Sequence, residues 1–155
     1  MKKVLFLHGL ESNQGGPKVD FLSSVSLVYA PKMVYRIKSW SVEDLVNLVD
    51  ECTPDLIIGS SMGGYLADVI GSYTGIEVLL FNPALHSRSF DYHLNYGKEE
   101  YRRIIVLGED DDIIDPERTK EIVGNKSTLI NIKGMGHRTD LNTFKVVIKN
   151  ILLKT

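Results

Sequence analysis

The chain carries at positions 59–63 the sequence Gly59-Ser60-Ser61-Met62-Gly63, a G-x-S-x-G pattern. An apolar run, Leu56–Ile58, comes just before it, and a stretch with helical character, Met62–Ile70, begins within it. A buried strand, a tight turn and a helix together form the context in which this pattern presents a serine at the end of a sheet. The flanking glycines remove side chains that would collide in such a turn. The pattern therefore predicts a strand–turn–helix unit with Ser61 at its apex; the alternative is a glycine-rich loop with a chemically idle serine.

Short apolar runs alternate with amphipathic stretches along the whole chain. Each run is predicted to be a strand buried on both faces, and the runs are Val4–Leu7, Ser26–Tyr29, Leu56–Ile58, Val78–Phe81, Ile104–Leu107 and Leu129–Ile132. The predicted helices are a stretch around Phe21, Val42–Val49 after the N-cap Ser41, Met62–Ile70, Pro116–Val123 after the N-cap Asp115, and Leu141–Leu153.

This alternation of strand and helix indicates βαβ units with right-handed crossovers and a parallel sheet. We therefore predict one α/β domain over residues 1–155. Its expected architecture is a three-layer α/β/α sandwich with a mostly parallel sheet of about six strands, and no insertion is long enough to form a cap domain.

The composition is that of a soluble globular protein, since 43% of the 155 residues are hydrophobic and 25% are charged. The 18 basic and 20 acidic residues give a net charge of −2, which provides no general attraction to nucleic acid or to anionic lipid. The single cysteine, Cys52, allows no internal disulfide and fits a reducing compartment. The first apolar run is too short for a signal peptide, and no stretch approaches the length of a membrane span. We therefore expect a cytoplasmic protein that binds neither nucleic acid nor a membrane.

A serine hydroxyl is a weak nucleophile at neutral pH and needs a base, for which histidine is suited. The candidate bases are His8, His86, His93 and His137. His137 follows the last predicted strand in a loop that contains glycines. In enzymes with this kind of turn, the chain order is serine, acid, histidine, and that order favours His137 over the others. Taken alone, His137 is equally well interpreted as a histidine in a surface loop.

The acid should follow the predicted strand Ile104–Leu107, where the chain continues as Glu109-Asp110-Asp111-Asp112-Ile113-Ile114-Asp115. A carboxylate there would fix the imidazole tautomer and stabilise the imidazolium. Spacing alone does not decide which carboxylate has this role, and a solvated acidic turn that caps the next helix is the alternative. A calcium loop that starts at Asp110 would need a ligand at its fifth position and glycine at its sixth, where Ile114 and Asp115 stand. No metal is therefore expected.

Two backbone N–H groups are expected to bind the oxyanion of a reacting acyl group. One belongs to Met62, the residue after the nucleophile, and the other to Leu10 in the loop after the first strand. Gly9 would let the backbone of that loop approach the substrate closely. His8 is predicted to orient the loop through hydrogen bonds. The least regular segment, residues 83–97, follows a predicted strand and is expected at the ligand-binding edge of the sheet.

Together these motifs resemble the α/β-hydrolase superfamily, and within it the small capless YqiA-like bacterial esterases. The residues that carry the resemblance are Leu7-His8-Gly9, Gly59–Tyr65 with Ala67, Asn82-Pro83-Ala84, Asp111–Asp115, and Gly134, Gly136 and His137. The resemblance implies a minimal α/β-hydrolase fold and a carboxylic ester hydrolase with the triad Ser61, Asp111 and His137. The preference for Asp111 over Asp110 comes from this resemblance. It also implies a small-molecule ester as substrate, with no cofactor.

Four other functions stay open on the sequence. The scaffold is also suited to a binding module without chemistry, because fold does not imply function. A thioesterase or an acyltransferase would use the same serine. A phosphotransfer enzyme would use Asp110 and Asp112 after a strand, but no second phosphate-binding feature accompanies that pair. Our prediction is an esterase in which Ser61 is the nucleophile.

Overall fold

Strands and helices alternate along the chain as the sequence predicts. The computed structural model describes residues 1–10, 12–35, 40–86 and 100–153, and these form six strands and five helices. The strands are β1 (Lys3–Leu7), β2 (Leu27–Tyr29), β3 (Leu56–Ser60), β4 (Glu77–Phe81), β5 (Arg103–Gly108) and β6 (Thr128–Ile132). The helices are α1 (Pro17–Val25), α2 (Val42–Cys52), α3 (Met62–Thr74), α4 (Pro116–Val123) and α5 (Leu141–Leu152).

The six strands form one sheet in the order β2-β1-β3-β4-β5-β6, and each of the five neighbouring pairs is parallel. The chain turns to one side of β1 to make β2 and then to the other side to make β3. The gap between the carboxyl ends of β1 and β3 is therefore a switch point, the place where α/β sheets bind their ligands. Leu7 pairs with Gly59 at this edge, so the loop after β1 and the turn that holds Ser61 lie side by side.

Alternating side chains of the central strands enter two separate hydrophobic clusters, one on each face of the sheet. On one face, Leu5, Ile57 and Leu80 pack with residues of α2 and α3. On the other face, Phe6 and Ile58 pack with residues of α1 and α5, among them Leu22 and Phe144. Two helical layers around a parallel sheet confirm the predicted three-layer sandwich.

The prediction that every strand is buried on both faces is wrong for the two outer strands. Leu27 and Tyr29 in β2 are exposed, and so are Thr128 and Asn131 in β6. In the sheet formed by the described residues, each of these strands lies at an edge and pairs with one neighbour, so part of its faces meets solvent. The four inner strands follow the prediction, and β1 is typical: it is buried from Val4 to Leu7.

Two predicted helix starts are confirmed. Ser41 accepts a hydrogen bond from the Asp44 N–H, and the Asp44 carboxylate accepts one from the Ser41 N–H, which makes a capping box at α2. Asp115 caps α4 by accepting from the Glu117 N–H. Over the ranges that the structure describes, no helix has the length and apolarity of a membrane span. Residues 87–97 of the irregular segment, with Phe90, Tyr92, His93 and Tyr96, lie outside the described residues.

Candidate active site

The turn between β3 and α3 holds Ser61 in an unusual backbone conformation. Its φ is 54° and its ψ is −114°, a region that non-glycine residues seldom occupy and that costs on the order of 1–3 kcal/mol. Backbone hydrogen bonds hold the turn: the Ser61 N–H donates to the Phe81 carbonyl, and the Ser61 carbonyl accepts from the Ala84 N–H. A side chain at Gly63 would collide with the backbone carbonyls of Leu7 and His8. The glycine therefore lets α3 pack directly against the end of β1.

Ser61, His137 and Asp111 come together at the carboxyl edge of the sheet. The Ser61 Oγ lies 3.0 Å from His137 Nε2, and His137 Nδ1 lies 2.9 Å from Asp111 Oδ2. The Asp111 side chain is fully buried and the His137 side chain is 18% exposed. With Nδ1–H donating to the carboxylate, Nε2 is the acceptor that faces the serine hydroxyl. This tautomer is the one that a serine nucleophile requires.

The structure distinguishes Asp111 from its acidic neighbours. Asp111 Oδ1 accepts hydrogen bonds from the N–H groups of Ile113 and Ile114, both at 2.9 Å, so the carboxylate is fixed before it meets the imidazole. Asp110 and Asp112 are exposed. Among the described residues, no three His, Cys, Asp or Glu side chains cluster as metal ligands would. The acidic turn therefore presents one buried, oriented carboxylate to His137.

His8 has both ring nitrogens engaged in hydrogen bonds. Its Nε2 accepts from the Met33 N–H at 2.8 Å, so Nδ1 carries the proton and donates to the Gly9 carbonyl at 2.8 Å. Burial lowers the pKa of His8, and the hydrogen bond to Gly9 opposes that shift without cancelling it. The ring is therefore neutral, and the hydrogen bonds of its two nitrogens hold the loop after β1 in place. The Tyr35 hydroxyl also donates to the His8 carbonyl.

The loop after β1 contacts the turn that holds Ser61. A Cβ added at Gly9 would lie 3.3 Å from the Ser60 carbonyl oxygen and 3.4 Å from Ser61 Cβ, so the two backbones are in close contact. Leu10, half-buried, follows directly in this loop. Met62 is the first residue of α3, so its N–H has no acceptor within the helix. Both predicted donors thus lie on the segments that flank the serine.

Asn82 joins the two loops that carry the acid and the histidine. Its Nδ2 donates to the carbonyls of His137, at 2.7 Å, and Gly136, at 3.2 Å, and its Oδ1 accepts from the Gly108 N–H at 2.8 Å. The side chain is buried, and a φ of 41° turns the residue at the end of β4. The sequence marks Asn82-Pro83-Ala84 as a motif but assigns it no role. An asparagine directly after a predicted central strand is the sequence signal from which hydrogen bonds between the neighbouring loops could have been inferred.

Of the other two candidate histidines, the structure describes His86. His86 lies 3.3 Å from the Asp115 carbonyl oxygen through its Nε2. His93 belongs to the part of the chain outside the described residues. The histidine brought to the serine is the one that the chain order favours.

A parallel α/β/α sandwich with its serine on a tight β3–α3 turn at the switch point is the α/β-hydrolase fold, and this chain has it. The expected fold class is thereby confirmed. The chain belongs to UPF0227, described as an uncharacterised protein family, whose model matches residues 3–96.

Curated relatives carry the same family name. A UPF0227 protein of Vibrio vulnificus is 25% identical over 151 residues, an alignment that covers 79% of this chain and 82% of that protein. A UPF0227 protein of Yersinia pseudotuberculosis is 28% identical over 145 residues and covers 75% and 79% of the two chains. Neither name states an activity.

Solved structures with a similar fold include enzymes. A monoacylglycerol lipase of Paleococcus ferrophilus has a TM-score of 0.75 at 15% identity, with 99% of this chain and 95% of that chain covered. An α/β hydrolase enzyme from the sediment metagenome of the Mar Chica lagoon has a TM-score of 0.70 at 15% identity, with 97% and 88% covered. At this level of identity the comparisons establish the shared fold.

Proposed function

We propose that this protein is a serine hydrolase that cleaves small carboxylic esters through an acyl-enzyme on Ser61. The observation that carries the proposal is the continuous series of hydrogen bonds from Ser61 Oγ through the His137 imidazole to the buried Asp111 carboxylate. Nucleophile, base and orienting acid within hydrogen-bond reach of one another are the arrangement that activates a serine.

In the proposed reaction, Ser61 Oγ attacks the ester carbonyl carbon while His137 Nε2 takes the hydroxyl proton. Asp111 stays ionised and stabilises the imidazolium that forms. The N–H groups of Leu10 and Met62 stabilise the oxyanion, and each such donor contributes about 3 kcal/mol to transition-state stabilisation. The imidazolium then protonates the leaving alcohol as the C–O bond breaks.

The second half of the reaction uses the same groups in reverse order. His137 Nε2 removes a proton from water as the water oxygen attacks the acyl carbon on Ser61. Collapse of the tetrahedral intermediate releases the acid and returns the proton to Ser61 Oγ. Activity should therefore require the neutral form of His137, because a protonated imidazole cannot accept the hydroxyl proton.

The substrates are proposed to be small. The stretch of chain between Phe81 and Arg103 is much shorter than an ordinary domain, so we do not expect it to form a separate cap. An open site favours short-chain or activated esters. A thioester would react through the same acyl-enzyme, and an acyltransferase would replace water by another acceptor.

A fluorophosphonate probe tests the proposal, because it forms a covalent bond with an activated serine hydroxyl. The wild-type protein should be labelled at Ser61, and Ser61→Ala should not be labelled. Ser24→Ala, on the exposed side of α1, is the matched serine variant and should be labelled like the wild type. Folded wild-type protein that takes up no probe and turns over no ester in a panel of increasing acyl length would instead indicate a non-catalytic binding module.

A further inference from the structure

A cavity of about 430 Å³ opens beside the serine turn. Its inner wall includes Ser60 and Gly9 from the two segments that flank the nucleophile, and the apolar rings of Phe81 and Phe144. Its rim includes residues of the loop that leads from His137 to α5. The cavity therefore lies next to the proposed reaction centre, on the α1 and α5 side of the sheet.

Two cationic side chains, Lys18 and Arg138, line this cavity. Neither has a salt-bridge partner among the residues that the structure describes. The Lys18 ammonium lies 5.7 Å from the centre of the Phe144 ring, so the side chain folds along the cavity wall instead of extending into solvent. Burial lowers the pKa of Lys18, and the nearby Arg138 guanidinium adds to that shift while the Asp140 carboxylate opposes it.

Asp140 does not neutralise these cations by direct contact. Its carboxylate caps α5, accepting from the Thr143 N–H at 2.9 Å and from the Thr143 hydroxyl at 2.8 Å. Within the described part of the chain, neither Lys18 nor Arg138 therefore makes a charge-assisted hydrogen bond to a carboxylate.

Two further polar features at the cavity are also unsatisfied. Thr139 lines it and is 5% exposed, and its Oγ1 has no hydrogen-bond partner among the described residues. A buried hydroxyl without a partner is unusual in a folded protein. The N-terminus of α1 also borders the cavity, and the Gly16 N-cap supplies no side chain to accept from its free N–H groups. Among the described residues that line it, the cavity thus has two cationic side chains, a buried hydroxyl without a partner and a helix N-terminus, and no acidic side chain.

We propose that this cavity binds a negatively charged group of the substrate, a carboxylate or a phosphate, while the ester carbonyl lies at Ser61. This inference rests on the proposed esterase function, and it names the class of substrate that the site takes. Lys18 and Arg138 supply the charge-assisted hydrogen bonds. The phenyl rings of Phe81 and Phe144 contact the apolar part of the substrate between the charged group and the ester.

Matched pairs of esters test the inference by turnover. One pair, 4-nitrophenyl monoadipate and 4-nitrophenyl hexanoate, places the charge on the acyl side. A second pair, the butyrates of 3-carboxy-4-nitrophenol and of 4-nitrophenol, places it on the alcohol side. The wild type should have a kcat/KM at least about tenfold higher for the charged member of one pair, since a hydrogen bond between charged groups is worth about that factor. The pair that shows the preference identifies the side of the ester that enters the cavity.

Three variants test which side chain causes the preference for the charged ester. Lys18→Met keeps the apolar stem of the side chain, and it should abolish most of the preference through a higher KM for the charged ester. Arg138→Met should reduce the preference by a smaller factor, because Arg138 is exposed and screened by solvent. Lys149→Met, on the exposed side of α5, is the matched control and should leave the preference unchanged.

A binding measurement separates this inference from the proposed function. Adipate should raise the melting temperature of Ser61→Ala more than hexanamide, which carries no charge, does, and Lys18→Met in that background should remove the difference. If esters are cleaved with equal kcat/KM for both members of each pair, the inference is wrong and the esterase proposal stands. If no ester is cleaved but adipate binds in a manner that depends on Lys18, the anion site stands and the esterase proposal is wrong. If adipate gives no shift and no preference is found, the inference is overturned.

Discussion

Replacement of Asn82 should show whether its side chain positions the loops of the site in addition to stabilising the fold. The side chain makes three hydrogen bonds, to the carbonyls of Gly136 and His137 and from the Gly108 N–H. Asn82→Ala removes all three at once and leaves a buried N–H without an acceptor. It also places alanine at a φ of 41°, which asparagine tolerates better.

The expected loss of unfolding free energy is moderate. An unsatisfied buried N–H costs about 1–3 kcal/mol. The left-handed backbone conformation costs alanine roughly 1 kcal/mol more. Activity should fall by more than the loss of unfolding free energy alone would cause, because Asn82 no longer fixes the loop that carries His137. A displacement of about 1 Å between reacting groups lowers the rate about 100-fold, and we expect kcat to fall by that factor with little change in KM.

Three measurements check the prediction: urea unfolding, the rate of fluorophosphonate labelling, and ester turnover. Leu48→Ala in α2 is the matched control, since it removes buried apolar atoms and costs about 2–5 kcal/mol without touching the site. The control should lose stability and keep its labelling rate; Asn82→Ala should lose both. Asn82→Ala that folds, lacks the three hydrogen bonds and still labels within twofold of the wild-type rate would refute the role given to Asn82.

Three further predictions address the acid, the buried histidine and the turn. Asp111→Asn should lower kcat about 10⁴-fold while the protein stays folded, because an amide no longer favours the His137 tautomer with its proton on Nδ1; a loss below tenfold in steady-state assays would contradict this. Burial lowers the pKa of His8, so the unfolded chain binds a proton at higher pH than the folded chain. His8 should therefore contribute fully to the free energy of unfolding above about pH 6.5, and this contribution should shrink as the pH drops below that value. In urea titrations, the free energy of unfolding of His8→Gln should decrease less steeply with falling pH than that of the wild type. Gly63→Ala should cost about 1–3 kcal/mol in urea titrations and slow ester turnover, because the new methyl group meets backbone carbonyls at the end of β1; unchanged stability and rate would show that the turn is looser than described.

The sheet was predictable because a strand buried on both faces leaves a continuous apolar run. Ile104–Leu107 and Val78–Phe81 are such runs, and the structure extends each by only one or two residues. Exposure of β2 and β6 was not predictable from composition, because it depends on which strands end up at the edges of the sheet. The start of α1 at Pro17 was also missed, since the apolar pattern around Phe21 is weak there and the N-cap, Gly16, gives no side-chain signal.

The candidate site divides in the same way into local and long-range features. The serine turn is a local feature, so the residues from Leu56 to Ile70 were enough to predict it. The roles of Asn82 and of the Lys18 and Arg138 pair depend on contacts between distant parts of the chain; Asn82 and His137 are 55 positions apart. The choice of Asp111 depends on a turn in which its own carboxylate accepts two N–H groups. Spacing along the sequence does not reveal such a turn when three aspartates stand in a row.

The central claim is that Ser61 forms a covalent acyl intermediate. The most direct test is rapid acid quench of the wild-type protein during turnover of 4-nitrophenyl butyrate, followed by peptide mass spectrometry. We predict a butyryl adduct on Ser61 that accumulates with a burst of nitrophenol and is absent in Ser61→Ala. An adduct on a different residue, or hydrolysis by Ser61→Ala at the wild-type rate, would contradict the account.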